Sequence, residues 1–236
     1  MKKAKGISTE PVMDLAGGID WRLVEEDFQH QAELTRQLAD KHPEIGMPTV
    51  FIMAGDLVAA EKVDKLFQAK QMTFEAAQAV MGSYARFDWI VKQIEQGIVK
   101  PEQAYALLPE VWSSSDPDDT DPRFLKFWKK AYAANDNKCI WDDNEPPLRK
   151  KVFTVYRGQD RHLYYEGGLL GIAWTLDKNI AKKFARGAWA RQSNRPGEVL
   201  TGGIARKDIL AFICGRGESE IIADPRRVKI IRKEDV

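Results

Sequence analysis

The chain has 236 residues, of which 44% are hydrophobic and 30% are charged, and its formal net charge is +1. This composition excludes a disordered chain, a collagen-like repeat and a disulfide scaffold. The sequence contains no run of about 18 apolar residues, so no membrane span is predicted. The two cysteines, Cys139 and Cys214, lack the C-x-x-C spacing of a zinc or redox site and favour a reducing compartment, so we expect a cytoplasmic protein.

The charge is divided unevenly along the chain. Residues 1–148 carry 17 Lys and Arg against 25 Asp and Glu, a net of −8, whereas residues 149–236 carry 19 against 10, a net of +9. This division predicts two units with different roles, of which the basic one faces an anionic partner such as a phosphate-bearing ligand or nucleic acid. Opposite charges would also allow the two units to dock on each other.

Helical spacing of apolar residues dominates the first unit. Two helices are predicted from about Trp21 to Leu38 and from about Gly55 to Lys70. A third is predicted from Thr73 to Gln96, with Thr73 as its N-cap and Gly97 at its end.

Proline residues bound the next predicted elements. A short helix is predicted from Pro101 to Leu108, closed by Pro109. The polar run 113–120 predicts a loop, after which Asp121 and Pro122 are expected to start another helix as its cap and first residue.

The pattern changes after Pro146 and Pro147, which predict a boundary between a helical region of unknown role, 1–148, and a second domain, 149–236. In the second domain, β-branched and aromatic residues predict short strands, and Asp177 is expected to cap a helix. The predicted strands are Val152–Arg157, short runs within Ile204–Ile213, Glu220–Ala223 and Val228–Ile231. We therefore predict an α+β protein.

Several catalytic and cofactor motifs are missing from the sequence. It contains no phosphate-binding P-loop, no nucleophile elbow, no H-E-x-x-H motif and no EF-hand loop. The histidines His30, His42 and His162 are scattered, so we expect no metal cofactor.

Three fragments remain in the second domain, namely Val155–Gly158 (VYRG), Gly171–Ala185 (GIAWTLDKNIAKKFA) and Gly215–Pro225 (GRGESEIIADP). Together they resemble the mono-ADP-ribosyltransferase family of the arginine, serine, glutamate (R-S-E) type. In that family a strand-borne arginine, a Ser-Thr-Ser-like strand and a Glu-x-Glu segment line one NAD-binding cleft in a mixed β-sandwich. The resemblance covers about the last eighty residues, and it implies a toxin-like enzyme of bacterial or phage type that uses NAD as co-substrate.

The Glu-x-Glu pair is the predicted catalytic centre. On strand-like backbone Glu218 and Glu220 would project from one face while Ser219 points away. Breaking the bond between nicotinamide and ribose generates a cationic sugar, which a fixed carboxylate stabilises in the transition state. The resemblance assigns that role to Glu220, and it assigns the orientation or deprotonation of the acceptor to Glu218.

The other two fragments are expected to bind the dinucleotide. The guanidinium of Arg157 can grip phosphate oxygens, and the missing side chain of Gly158 would let a ligand approach closely. Trp174 and Thr175 are expected on a short strand beside the cleft. The first serine of the family pattern falls on Ala173, so the hydroxyl that braces the catalytic glutamate must come from Thr175.

The acceptor of ADP-ribose stays open at this point. Two adjacent carboxylates would attract a guanidinium, which favours an arginine side chain of a protein. The alternatives are a nucleic-acid acceptor, water in an NAD glycohydrolase, a basic module that only binds nucleic acid, and an inactive interaction protein that keeps the fold. The acidic helices could recognise the target, cover the basic domain or complete its core.

Overall fold

The computed structural model describes residues 21–41, 43, 45–142, 149–160, 170–186 and 196–236. These residues form seven α-helices and one seven-stranded sheet, with most helices in the N-terminal part and the sheet in the C-terminal part, so the protein is mixed α and β. The predicted boundary prolines, Pro146 and Pro147, lie outside the described residues, as do His42 and His162. Among the described helices, none combines the length and apolar character that crossing a membrane requires.

Six of the helices precede the first strand in the chain, and the seventh lies between the third and fourth strands. They are α1 (Trp21–Lys41), α2 (Met47–Gln68), α3 (Phe74–Val80), α4 (Ser83–Glu95), α5 (Pro101–Ser113), α6 (Pro122–Ala134) and α7 (Lys178–Ala185). Three predicted caps are confirmed: the side chains of Thr73, Asp121 and Asp177 accept hydrogen bonds from backbone N–H groups in the first turns of α3, α6 and α7.

The single helix predicted from Thr73 to Gln96 is wrong, because the chain breaks into α3 and α4 at Gly82. The carboxylate of Asp56, on α2, accepts a hydrogen bond from the backbone N–H of Tyr84 at 3.1 Å and so caps α4. A Cβ on Gly82 would lie 2.1 Å from Cγ of Asp56, so only glycine leaves room for that carboxylate.

Helix α5 also runs past its predicted end, since Pro109 lies inside it and the helix continues to Ser113. Its last turn carries Val111 and Trp112, which are buried in the core. The burial of these two side chains favours continuation of the helix in spite of the hydrogen bond that a proline removes.

The sheet contains strands in the order β1-β5-β6-β3-β2-β4-β7. The β1–β5 pair is parallel and the other neighbours are antiparallel. The strands are β1 (Ile140–Trp141), β2 (Val152–Asp160), β3 (Ala173–Thr175), β4 (Gly197–Ala205), β5 (Ile209–Ile213), β6 (Glu220–Ala223) and β7 (Lys229–Asp235). Strand β6 has the predicted bounds.

The helices and the sheet share one hydrophobic core. Ala211, Ile213 and Ile222 of β5 and β6 pack in the same cluster as Trp112 of α5 and Trp128 of α6. Strand β1 precedes the predicted boundary and yet forms an edge of the sheet, beside β5. The two predicted regions are therefore joined through packed apolar surface and through the sheet itself.

Candidate active site

The three predicted motifs fall on neighbouring strands. Tyr156 of β2 pairs with Thr175 of β3, which in turn pairs with Glu220 of β6. Two strand spacings, about 10 Å, therefore separate the backbones of Tyr156 and Glu220. The sheet thus brings the Arg157 strand, the Thr175 strand and the glutamate segment together.

Glu220 is the first residue of β6, and its partly buried side chain faces α5. Its Oε2 accepts a hydrogen bond of 3.0 Å from the indole N–H of Trp112. Burial raises the pKa of Glu220 to about 8, while the hydrogen bond from Trp112 acts to lower it. The neighbouring carboxyl groups of Glu218 and Asp119 raise this pKa further, and Arg216 lowers it.

Glu218 lies just before β6 and not on strand-like backbone. Ser219 has a left-handed φ of 46°, which interrupts the predicted alternation between the two glutamates. The side chain of Glu218 is buried, and its Oε1 has no hydrogen-bond partner among the described residues. Burial raises the pKa of this carboxyl group as well, Asp116 adds to that effect, and Arg216 opposes it.

Thr175 braces the backbone of the glutamate segment. Its hydroxyl donates a hydrogen bond of 2.5 Å to the backbone carbonyl of Glu218 and accepts one of 3.0 Å from the N–H of Asp177. The expected brace is thus made to the chain that carries the glutamates and not to a carboxylate. The hydroxyl links this chain to the N-terminus of α7.

Arg157 is already paired within the chain. Its guanidinium meets the carboxylate of Asp119 through two contacts, of 2.5 and 3.0 Å. It also donates to the backbone carbonyl of Ala173 at 2.8 Å and to the side chain of Gln159 at 3.1 Å. A phosphate that binds Arg157 must therefore compete with Asp119.

Two of the predicted dinucleotide contacts are corrected by the packing around them. A Cβ on Gly158 would lie 1.8 Å from the carbonyl oxygen of Ala181, so the close approach at Gly158 is that of the α7 backbone and not of a ligand. Trp174 is 2% exposed and packs in the core with Val155, Leu200 and Ile221. Its indole is therefore a core side chain and not a platform beside the cleft.

The sequence interpretation missed the residues that cover this site, a stretch we call the covering segment, residues 112–119. Trp112 contacts Glu220, and Asp119 contacts Arg157. Arg216 donates to the backbone carbonyls of Ser113 and Ser115 and to the carboxylate of Asp116. The opposite charges of the two halves allow such docking, which is one of the roles left open for the helices, but a polar run gives no sign of which partner each carboxylate meets.

Two surface cavities, of about 420 and 350 Å³, lie on the helices and include none of Arg157, Glu218 and Glu220 among their lining residues. No group of His, Cys, Asp and Glu suited to holding a metal ion occurs in the part of the chain that the structure describes.

Comparison of the chain with family models, with curated proteins and with solved structures finds no match.

Proposed function

We propose that this protein is a mono-ADP-ribosyltransferase, with an ADP-ribosyltransferase-like domain over residues 149–236, which transfers ADP-ribose from NAD to an arginine side chain of a protein. The observation that carries the proposal is the pairing of Tyr156 with Thr175 and of Thr175 with Glu220 across three adjacent strands. It supports a single site for the arginine, hydroxyl and glutamate fragments that are dispersed in the sequence.

The proposed reaction breaks the bond between the nicotinamide nitrogen and C1′ of the ribose, and nicotinamide leaves with the electron pair. Glu220, in its ionised form, stabilises the cationic sugar. An acceptor guanidinium nitrogen then bonds to C1′, and its proton passes to Glu218. Because burial raises the pKa of Glu220 to about 8, the ionised form is the minor one at neutral pH, and activity is expected to rise with pH toward that value.

Arg157 is proposed to bind the pyrophosphate of NAD. Its planar guanidinium can form two parallel hydrogen bonds with a phosphate, as it does with the carboxylate of Asp119. The Asp119 carboxylate is an internal anion at the position where a phosphate would bind. In this proposal NAD binding displaces Asp119 from Arg157.

NAD hydrolysis is the second candidate, favoured by the burial of Glu218. With 7% of its surface exposed, Glu218 lies where water reaches it more readily than an arginine on the surface of another protein. The two reactions share the step at Glu220 and differ only in the acceptor.

Labelled NAD and a whole-cell lysate distinguish these functions. We expect the labelled material to be digested by protease and not by nuclease. Glu220→Gln should lower the rate by about a hundredfold or more, with NAD affinity nearly unchanged. Glu218→Gln should impair transfer and spare hydrolysis. Glu110→Gln, at an exposed glutamate on α5, is the matched control and should keep the wild-type rate.

Each other outcome contradicts the proposal in a defined way. Label removed by nuclease would make a nucleic acid the acceptor, and released nicotinamide without label would make water the acceptor. With neither label nor nicotinamide, the protein is not an enzyme acting on NAD, and salt-sensitive RNA binding by its exposed basic side chains becomes the function to test.

A further inference from the structure

We propose that the helical region contributes a positioning residue to the Glu220 site, namely Trp112, whose indole N–H holds the carboxyl group of Glu220. The two residues are 108 positions apart in the chain, and their N–O distance is 3.0 Å. The effect of this hydrogen bond on catalysis rests on the proposed function, whereas the contact between the two side chains does not. The helices would then be part of the site and not only a cover over it.

The indole of Trp112 is fixed by aromatic packing. Its ring meets Phe87 edge-on at a centroid distance of 4.8 Å and Trp128 edge-on at 5.6 Å. Trp112 is 4% exposed, and the two rings that meet it belong to α4 and α6. A donor held in this way does not need to be ordered when the charge on Glu220 develops, which is the property that a positioning group requires.

Trp128 supplies an internal comparison. It belongs to the same core cluster and is fully buried, but its indole N–H has no hydrogen-bond partner among the described residues. Both tryptophans contribute apolar volume to that core. Trp112 alone of the two is directed at the carboxyl group, so the two indole resonances distinguish a hydrogen bond to Glu220 from burial in the same core.

The surroundings of Glu220 make this donor consequential. The carboxyl groups of Glu218 and Asp119 act against its ionised form, and Asp116 acts on Glu218 in the same sense. The groups that favour the ionised form are Trp112 and Arg216. Arg216 binds the backbone at Ser113 and Ser115, so both groups are anchored to the C-terminal end of α5.

The direct test is an NMR titration of the tryptophan side chains in the wild-type protein. We expect the indole N–H resonance of Trp112 to shift in one step as Glu220 ionises, and this step to vanish in Glu220→Gln. The resonance of Trp128 should show no such step. If the Trp112 resonance does not follow Glu220, or if Trp128 follows it equally, the proposal is wrong.

A second measurement follows the carboxyl carbon of Glu220 in two matched variants. Trp112→Phe should move the titration of Glu220 to higher pH, because a donor to the ionised form is lost. Trp89→Phe, at a buried tryptophan of α4 whose indole N–H donates to Asp64, should leave it in place. Equal displacement in both variants, or none in Trp112→Phe, would show that the indole serves only packing. If Trp112→Phe does not fold, the wild-type titration decides alone.

Turnover provides the catalytic readout. In Trp112→Phe we expect kcat to fall about tenfold or more, the scale of one hydrogen bond to a charged group, with KM for NAD within about twofold of wild type. The pH at which activity is half maximal should rise, and Trp89→Phe should keep the wild-type profile. A wild-type protein without NAD turnover would overturn the proposed function, and the NMR titrations would still decide the position of Trp112.

Discussion

The guanidinium of Arg157 and the carboxylate of Asp119 form a two-contact ion pair between the sheet and the covering segment, with distances of 2.5 and 3.0 Å. Both side chains are mostly buried, at 11% and 17% exposed. Gly171 makes room for them, because a Cβ there would lie 2.2 Å from Asp119 and 2.4 Å from Arg157. An external anion that bound Arg157 would therefore compete with Asp119.

Replacing Asp119 tests whether its carboxylate competes with an external anion for Arg157. In Asp119→Asn we expect the free energy of unfolding to fall by about 1–3 kcal/mol, because a mostly buried charged group loses its partner. Affinity for NAD and for ADP-ribose should rise about threefold to tenfold, because a larger fraction of the protein presents a free guanidinium. Calorimetric titration and urea unfolding measure the two quantities.

The exposed neighbouring carboxylate provides the control, since Asp118→Asn should leave nucleotide affinity unchanged. Unchanged or weaker affinity in Asp119→Asn, together with lower stability, would make the Arg157–Asp119 pair purely structural and would count against Arg157 as a phosphate ligand.

The packing of α7 on the sheet yields a stability prediction. A Cβ on Gly158 would lie 1.8 Å from the carbonyl oxygen of Ala181 and 2.6 Å from the N of Ala185. Because backbone cannot yield as a flexible side chain does, Gly158→Ala should lower the free energy of unfolding by about 3 kcal/mol or more. Gly203→Ala, on β4, should change it by less than about 1 kcal/mol, since its Cβ would meet only Ile231, at 3.5 Å. Equal urea midpoints for the two variants would contradict this account.

Local signals in the sequence predicted local structure well. The sequence predicts the helix caps Thr73, Asp121 and Asp177 correctly, because their side chains satisfy backbone N–H groups within three residues and that chemistry needs no knowledge of the fold. The bounds of β6, at Glu220 and Ala223, follow in the same way from a short apolar run between turns.

The errors arise where a distant group overrides the local pattern. Apolar spacing continues across Gly82, and the helix is broken there by a carboxylate 28 residues away from Tyr84 in the chain. Asp119 belongs to a polar run that predicts a solvated loop, yet it pairs with an arginine 38 residues later. The neighbouring positions of the three motif strands could be expected from a family resemblance, but the residues that cover them could not.

Asp224 links α6 to the turn after β6, and its charge should stabilise the fold. Its buried carboxylate accepts hydrogen bonds from Lys129 at 2.6 Å and from the guanidinium of Arg226 at 2.7 and 2.9 Å. The hydrogen bonds from Arg226, followed by those from Lys129, hold the pKa of Asp224 below its usual value of 3.8 against the opposing effect of burial. Asp224→Asn should therefore lower the free energy of unfolding at pH 7 by about 1–3 kcal/mol.

The pH dependence of this difference has a definite sign. A lowered pKa in the folded state stabilises the fold above the ordinary pKa, and this contribution is lost as the pH falls through the folded-state value. The gap between wild type and Asp224→Asn should thus narrow in strong acid. Asp136→Asn removes an exposed pair with Lys138 and should leave stability nearly unchanged at every pH. If the difference in free energy of unfolding between wild type and Asp224→Asn stays constant down to strong acid, the charge of Asp224 does not stabilise the fold.

Glu220 should show the opposite dependence on pH. Its pKa is raised by burial from an ordinary 4.5 to about 8. Between pH 4.5 and 8, the carboxyl group is therefore protonated in the folded protein and ionised in the unfolded chain. Stability should fall as the pH rises across that window, by at most about 1.4 kcal/mol per pH unit. Glu220→Gln keeps an oxygen acceptor for Trp112 and carries no charge, so the variant should become progressively more stable than wild type from pH 4.5 to 8. Urea unfolding at several pH values measures the gap, with Glu110→Gln on exposed surface as the control. A gap that does not widen with pH would mean that Glu220 is ionised in the folded protein, and hence that the covering segment does not exclude water from it.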